Sequence, residues 1–410
     1  MNRGVKVGRR STSTGRSTGR STGLFLSALL AAVIGLAGCQ AKTGAAGSAP
    51  AGGSSVPAGK AGAQVGIVPI NGATAVGLNK PVKVKVAQGK ISTVSVTATS
   101  GTLLTGSLAA DQASWTSQGR LAPNTTYRVS IAAVATNGRR TTVSSSFRTL
   151  SPKGTVTASI QPSSGLTVGV GMPVIVNFSQ SVATRDRSGV ESGLVVSTPG
   201  HVEGAWHWMT AQQVQWRPKQ YWPAHSTVKV TADLAGVEIR PGVWGTTQKH
   251  ISNFAIGSAM ISTVDVSAHK MFVREDGRLL RVIPVTTGKA GMATRNGVKV
   301  IMSRETEHRM DSTTIGIKEG QPGYYNIVAQ YAMRLTYSGE FLHAAPWSAG
   351  AQGHTNVSHG CTGMTVAQSR WLFNQSKVGD VVVFKHSTRS LEWGNGYTLW
   401  NESYSQWKKA

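Results

Sequence analysis

TYRVSIAAVATNGRRTTVSSSF, residues 126–147, alternates apolar and polar side chains on both sides of Asn137-Gly138. Successive residues of a strand point to opposite faces, so Tyr127, Val129, Ile131, Ala133 and Ala135 fall on one side. The stretch reads as two antiparallel strands around a turn. VKVKVA (82–87) and ISTVSVTA (91–98) repeat the same period. So many short strands between residues 65 and 150 predict a β-sandwich of immunoglobulin type, without the disulfide.

Working outward, TLSPKG is a spacer, and a second region of the same character fills residues 151–257. It contains VGVGMPVIVNFSQSV (168–182) and GAWHWMTAQQVQWRPKQYWPAHSTVKVTADL (204–234). Trp216 and Trp222 are expected inside this second sandwich, although exposed tryptophans there would stack on sugars. Residues 258–386 form a third, β-rich unit. STVDVSAHKMFVREDGRLLRVIPVTTGK predicts strands around an Asp276-Gly277 hairpin turn. Residues 289–330 are spotted with glycine, read as too irregular for continuous sheet, and predict a lid. A short helix is expected from its N-cap Thr365 to about Gln375, with Ala367, Trp371 and Leu372 as its apolar face. VGDVVVFK follows as a strand. The tail, 387–410, carries three tryptophans and is expected to wrap back on the third unit. The fold class is therefore mainly β: two sandwiches, then a β-rich domain with one short helix.

Ahead of these units stands a different kind of sequence. Residues 1–23 are basic and of low complexity, and LFLSALLAAVIGLAGC (24–39) is an apolar run of signal-peptide length. Its end, Leu36-Ala37-Gly38-Cys39, resembles the lipobox of bacterial lipoproteins, which implies cleavage before Cys39 and lipidation of its thiol. Residues 40–64 are a Gly/Ala/Ser/Pro tether with no means of forming a core. The chain has 410 residues and a net charge of +25; loss of residues 1–38 would remove six cations and leave +19. Basicity that survives export disfavours nucleic acid and suits an anionic envelope surface. The expected location is outside the cell, anchored by lipid to the outer face of the cell membrane.

There are two cysteines. With Cys39 lipidated, Cys361 has no partner in the chain, so it is either buried or used. HAAPWSAGAQGHTNVSHGC (343–361) gathers His343, His354 and His359 near it. A cysteine nucleophile needs a thiolate, hence a base or imidazolium nearby. Gly360 permits a tight turn whose N–H groups would face a developing oxyanion. The residues alone leave open a zinc site made from the histidines and Cys361, and an inert buried thiol. His354 reads as loop structure rather than chemistry.

The same stretch, H-x-A-P-W-S followed by S-H-G-C, resembles the signature of the L,D-transpeptidases, in particular the mycobacterial and actinobacterial lipoprotein type. The likeness covers lipobox, tether, two immunoglobulin-like modules, catalytic domain and Trp-rich tail. It implies that Cys361 attacks a tetrapeptide stem of peptidoglycan and expels the terminal D-alanine. A diaminopimelate-type amine of a neighbouring stem then takes the acyl group, giving a 3→3 cross-link; the alternatives are an L,D-carboxypeptidase or wall-protein anchoring activity with the same acyl-enzyme, and a catalytically decayed wall-binding lipoprotein. By the same resemblance His343 is the base, His359 orients the site, and the backbone N–H groups of His359, Gly360 and Cys361 form the oxyanion hole. Met310, Tyr325, Trp347 and Ser358 would contact substrate. No metal, cofactor or nucleic-acid partner is implied, and the protein would act as a monomer. Three positions depart from the family's usual residues: Ala344 for Ser, Gly363 for Asn or Arg, and Ile315 for Tyr.

Overall fold

The computed structural model describes residues 62–409; the signal segment, Cys39 and nearly all of the tether lie outside the described residues. The hairpin of residues 126–147 is formed by strands Thr126–Ala135 and Arg140–Arg148. Tyr127, Val129, Ile131, Ala133 and Ala135 are all buried, as the alternation requires. With Gly89–Ala98 this hairpin makes a three-stranded sheet. It faces a four-stranded sheet of Gln64–Val68, Lys83–Ala87, Ser114–Ser117 and Gly106–Leu108 across a core that includes Val84, Val96, Trp115 and Phe147. Each such aliphatic side chain contributes about 1.5–3 kcal/mol on burial.

The sheets of a second sandwich run from Gly154 to Ile256. Trp216 and Trp222 lie inside it, 6% and 2% exposed. They stack at 5.0 Å, and Trp222 Nε1 donates to Met172 O at 2.6 Å. Neither has a face left for sugar.

The third unit holds two sheets. A six-stranded sheet runs Arg278–Pro284, Lys270–Glu275, Met260–Asp265, Val381–Lys385, Arg295–Val300 and Arg389–Ser390. Asp276 and Gly277 both take positive φ at its first hairpin turn, +48° and +83°. The other sheet runs Ser303–Asp311, Asn326–Arg334, Phe341–Ala344 and Thr362–Met364. About half of residues 289–330 is sheet rather than irregular lid, in Arg295–Val300, Ser303–Asp311 and the start of Asn326–Arg334; 289–294, and 312–325 at the tip of a long hairpin, are irregular. Thr365 caps the helix Val366–Gln375 by accepting from Gln368 N. Its buried face is Ser369 and Leu372, with Trp371 partly covered; Ala367, expected on that face, is exposed.

The second sandwich meets the third unit through glycines. Gly169 N donates to Val378 O at 2.9 Å and Gly171 N to Gly379 O at 2.8 Å. A Cβ on Gly169 would lie 2.2 Å from Asp380 N, so only glycine lets these backbones approach. The tail reinforces the junction on both sides. Asn401 pairs with the N–H and C=O of Val298 in the third unit. Trp407 is fully buried beyond it, donating Nε1 to Ala205 O and accepting from His207 Nδ1. The tail was expected on the third unit; in the structure it also straps that unit to the second sandwich.

Candidate active site

Register builds the site. Phe341–Ala344 and Thr362–Met364 are parallel neighbours, with Leu342 opposite Thr362 and His343 opposite Gly363. Extending the register one step sets Cys361 opposite Phe341. Alternation then turns Cys361, His343 and Gly363 to one face of the sheet. A cleft of about 300 Å³ opens on that face, lined mainly by apolar surface. Cys361, His343, His359, Met310, Tyr325, Trp347 and Ser358 all border it. His354 is exposed and does not.

His343 is 5% exposed. Its Nδ1 lies 2.8 Å from Ala344 O. A carbonyl only accepts, so Nδ1 carries the proton and Nε2 is left with a free lone pair. Burial, opposed by this bond, pulls the imidazole down to about 4, so the ring is a neutral base at pH 7. The orienting group is a backbone carbonyl, and alanine at 344 supplies it as well as serine would.

Cys361 is half-buried at the cleft wall, packed with Met310, Ala329, Ala332 and Phe341. Its Sγ donates to Gly339 O at 3.5 Å. Burial pushes the thiol up to about 12. The dry walls disfavour charge on both groups, so the thiol and the imidazole that border the cleft are each neutral at pH 7.

The loop before Cys361 is held tightly. Ser358 Oγ donates to Cys361 O at 2.6 Å and accepts from Gly360 N at 3.1 Å. Of the three N–H groups expected in the oxyanion hole, that of Gly360 is thus bonded inside the loop in this state. Ser358 shapes the loop as well as bordering the cleft. Gly360 takes φ +127°, a value that glycine alone accepts readily. Tyr325 lies over His359, ring centroids 5.1 Å apart, and His359 Nε2 is buried with no partner among the described residues. Burial and the charge of Lys289 lower the His359 imidazole. Trp347 stands at the rim, 56% exposed, its ring 5.9 Å from that of His343. Among the described residues no three His, Cys, Asp or Glu side chains cluster as a metal site.

Several supports escape sequence reasoning. Thr286 Oγ1 donates to Thr355 O and accepts from Val357 N. Asn356 Oδ1 accepts from Thr287 N and Oγ1, and its Nδ2 donates to Val266 O. Thr294 Oγ1 donates to Gly360 O at 2.7 Å. These residues are common turn formers lying up to 90 positions from their partners, and nothing local marks them.

Comparison with known proteins agrees with this geometry. Residues 259–384 match the L,D-transpeptidase catalytic domain and residues 73–238 a bacterial Ig domain. L,D-transpeptidase 2 of Mycobacterium tuberculosis is 32% identical over 339 residues, 82% of this chain and 82% of its own length. L,D-transpeptidase 1 of the same organism is 38% identical over 225 residues, 55% of this chain and 83% of its own. Among solved structures, LD transpeptidase LdtMt1 in complex with imipenem is 36% identical and aligns with 57% of this chain and 100% of its own, at a TM-score of 0.49. An L,D-transpeptidase from Mycobacterium smegmatis is 32% identical over 56% of this chain and 99% of its own, at a TM-score of 0.47. On the strength of a relative aligned across four-fifths of both chains, with the Cys361–His343 face inside the matched domain, this protein is a member of the L,D-transpeptidase family.

Proposed function

We propose that this enzyme forms 3→3 cross-links in peptidoglycan through a thioester on Cys361. The observation that carries the proposal is the His343 Nδ1–Ala344 O bond, which leaves Nε2 free to take a proton on the cleft face shared with Cys361. Cys361 Sγ attacks the carbonyl carbon at the L-centre of a tetrapeptide stem while its proton passes to His343 Nε2. The amide C–N bond breaks, and that proton leaves with the amine of D-alanine. A diaminopimelate-type amine then attacks the thioester, surrenders a proton to His343, and the thiol is restored.

The neutral resting pair suits this sequence. No charge is stored in a dry cleft before substrate arrives, and charge develops only where donors can meet it. His359 and Tyr325 cover the loop from the tip side, and Trp347 offers an aromatic face to a stem. The LAGC segment and the basic surface support a mature lipoprotein, anchored through Cys39 on the outer face of the cell membrane and working as a monomer.

The test is incubation of the purified protein with disaccharide-tetrapeptide, beside Cys361→Ala, and mass spectrometry of the products. A 3→3 dimer that the variant does not make is the expected result. Tripeptide without dimer would show that water, not an amine, resolves the thioester. Absence of both, with no acyl mass on Cys361, would overturn the proposal.

A further inference from the structure

Next to the Ser-His-Gly-Cys loop lies a buried group of charges, none of which borders the cleft. Glu340 is 3% exposed and Lys299 1%. Lys299 Nζ donates to Glu340 Oε2 at 2.6 Å. Glu340 Oε1 accepts from Arg295 N at 2.9 Å and from Arg295 Nη1 at 3.1 Å. The Lys299 ammonium also sits 3.7 Å from the centre of the Phe384 ring. Arg295 continues to Glu392 of the tail, which is further held by Arg389 and Asn395.

Burying an ion pair forfeits hydration that the attraction between the partners often fails to recover, so a network of this kind is a poor device for stability alone. Its position suggests another use. Glu340 lies between Gly339, whose carbonyl accepts from Sγ, and Phe341, whose backbone N–H favours the ionised sulfur. It also touches the loop from the opposite side. A Cβ on Gly360 would lie 3.6 Å from Glu340 Oε1. The carbonyl of Gly360 is pinned by Thr294, the residue beside Arg295.

We infer that Glu340, clamped by Lys299 and Arg295, is a positioning residue for Cys361: it sets the peptide groups that hold the thiol and balances the charge around it. The inference rests on Cys361 as the nucleophile of the proposed function. The balance follows from the groups that face the sulfur. Glu340 opposes ionisation of the thiol; Lys299 and Arg334 favour it. From the cleft side, Tyr325 and His343 are neutral at pH 7. Removing Glu340's charge takes away a larger influence on the thiol than that of Lys299, which, held down to about 8 by burial, loses the partner that keeps it charged. The balance still tips towards thiolate, and the sulfur is loosened at the same time.

The experiment compares Glu340→Gln, Lys299→Met and the double variant in the full chain. Alkylation of Cys361 by iodoacetamide is followed by mass from about pH 6 to 10, together with acylation by imipenem resolved into its rate and half-saturation constants. For Glu340→Gln the alkylation profile moves to lower pH, with roughly a threefold faster reaction at pH 7. Its acylation rate constant falls about tenfold with half-saturation little changed. Lys299→Met moves the profile to higher pH. If a single variant fails to fold, the double variant, neutral and close in volume, is expected to fold, to restore the profile, and to acylate about tenfold slowly. Folded variants with wild-type profiles and acylation would overturn the inference. Alkylation reads the thiol whatever the natural substrate is, so failure of the cross-linking proposal would leave this result intact.

Discussion

At the scale of single residues, two departures from the family's usual pattern prove to have different consequences. Ala344 changes nothing essential, because His343 is oriented by a backbone carbonyl. Gly363 is constrained on the cleft side: a Cβ there would stand 2.8 Å from Ala345 Cβ and 3.2 Å from Thr286 Cγ2. Gly363→Ala is expected to lower stability by about 1–3 kcal/mol through overpacking. Ala345→Gly in the same chain should recover most of that loss, as read from denaturant unfolding. Cys361, His343 and the turn at Gly360 were legible because acyl transfer restricts the residue types that can serve. Thr294, Asn356 and the Glu340–Lys299 pair were not. Their partners are distant in sequence, and a threonine or a lysine in a strand carries no sign of what it will meet.

At the scale of elements, alternation identified the sandwich strands because each buries one face. The hairpin of Ser303–Asp311 and Asn326–Arg334 escaped the same reading. SRETEHRMD is mostly half-exposed along its length, so no apolar period marks it as a strand. Its glycines, Gly316, Gly320 and Gly323, are confined to the tip and made the whole region look irregular. Gly323 takes φ +89°, and a Cβ there would lie 3.1 Å from His359 Nε2. Gly323→Ala should therefore cost the tip about 1 kcal/mol and displace His359. The expected signature is acylation slowed several-fold with the global unfolding midpoint almost unmoved. An unaltered rate would mean that neither the tip nor His359 takes part.

Over the whole molecule, the tail does more than cover the catalytic unit. Trp407 is enclosed by the second sandwich, and the Arg217 guanidinium lies over its ring and over those of Trp400 and Tyr404. Burial lowers the Arg217 pKa, and Tyr404, Glu402 and Tyr221 oppose that shift. Three tryptophans at 393, 400 and 407 signalled a packed tail, but sequence gave no way to choose its partner. Trp407→Ala should destabilise the protein by about 3–5 kcal/mol. Because the strap joins two units, calorimetry is expected to show them unfolding together in the parent protein and in separate steps in the variant. A single transition at the original temperature would contradict the strap.

The most direct measurement is the pH dependence of single-turnover acylation of Cys361 by a disaccharide-tetrapeptide donor, followed by rapid quench and mass spectrometry. His343 must be neutral to accept the thiol proton, and its imidazole is held down to about 4. The base is therefore present above that value and lost as pH falls through it. With the thiol pushed up to about 12, no rise from thiolate formation falls in the neutral range. The expected profile is flat from about pH 5 to 9 with an acid limb near 4. A limb near 6.5, or a climb to a plateau near 8.5, would show an ordinary imidazole or a free thiolate at work and contradict it.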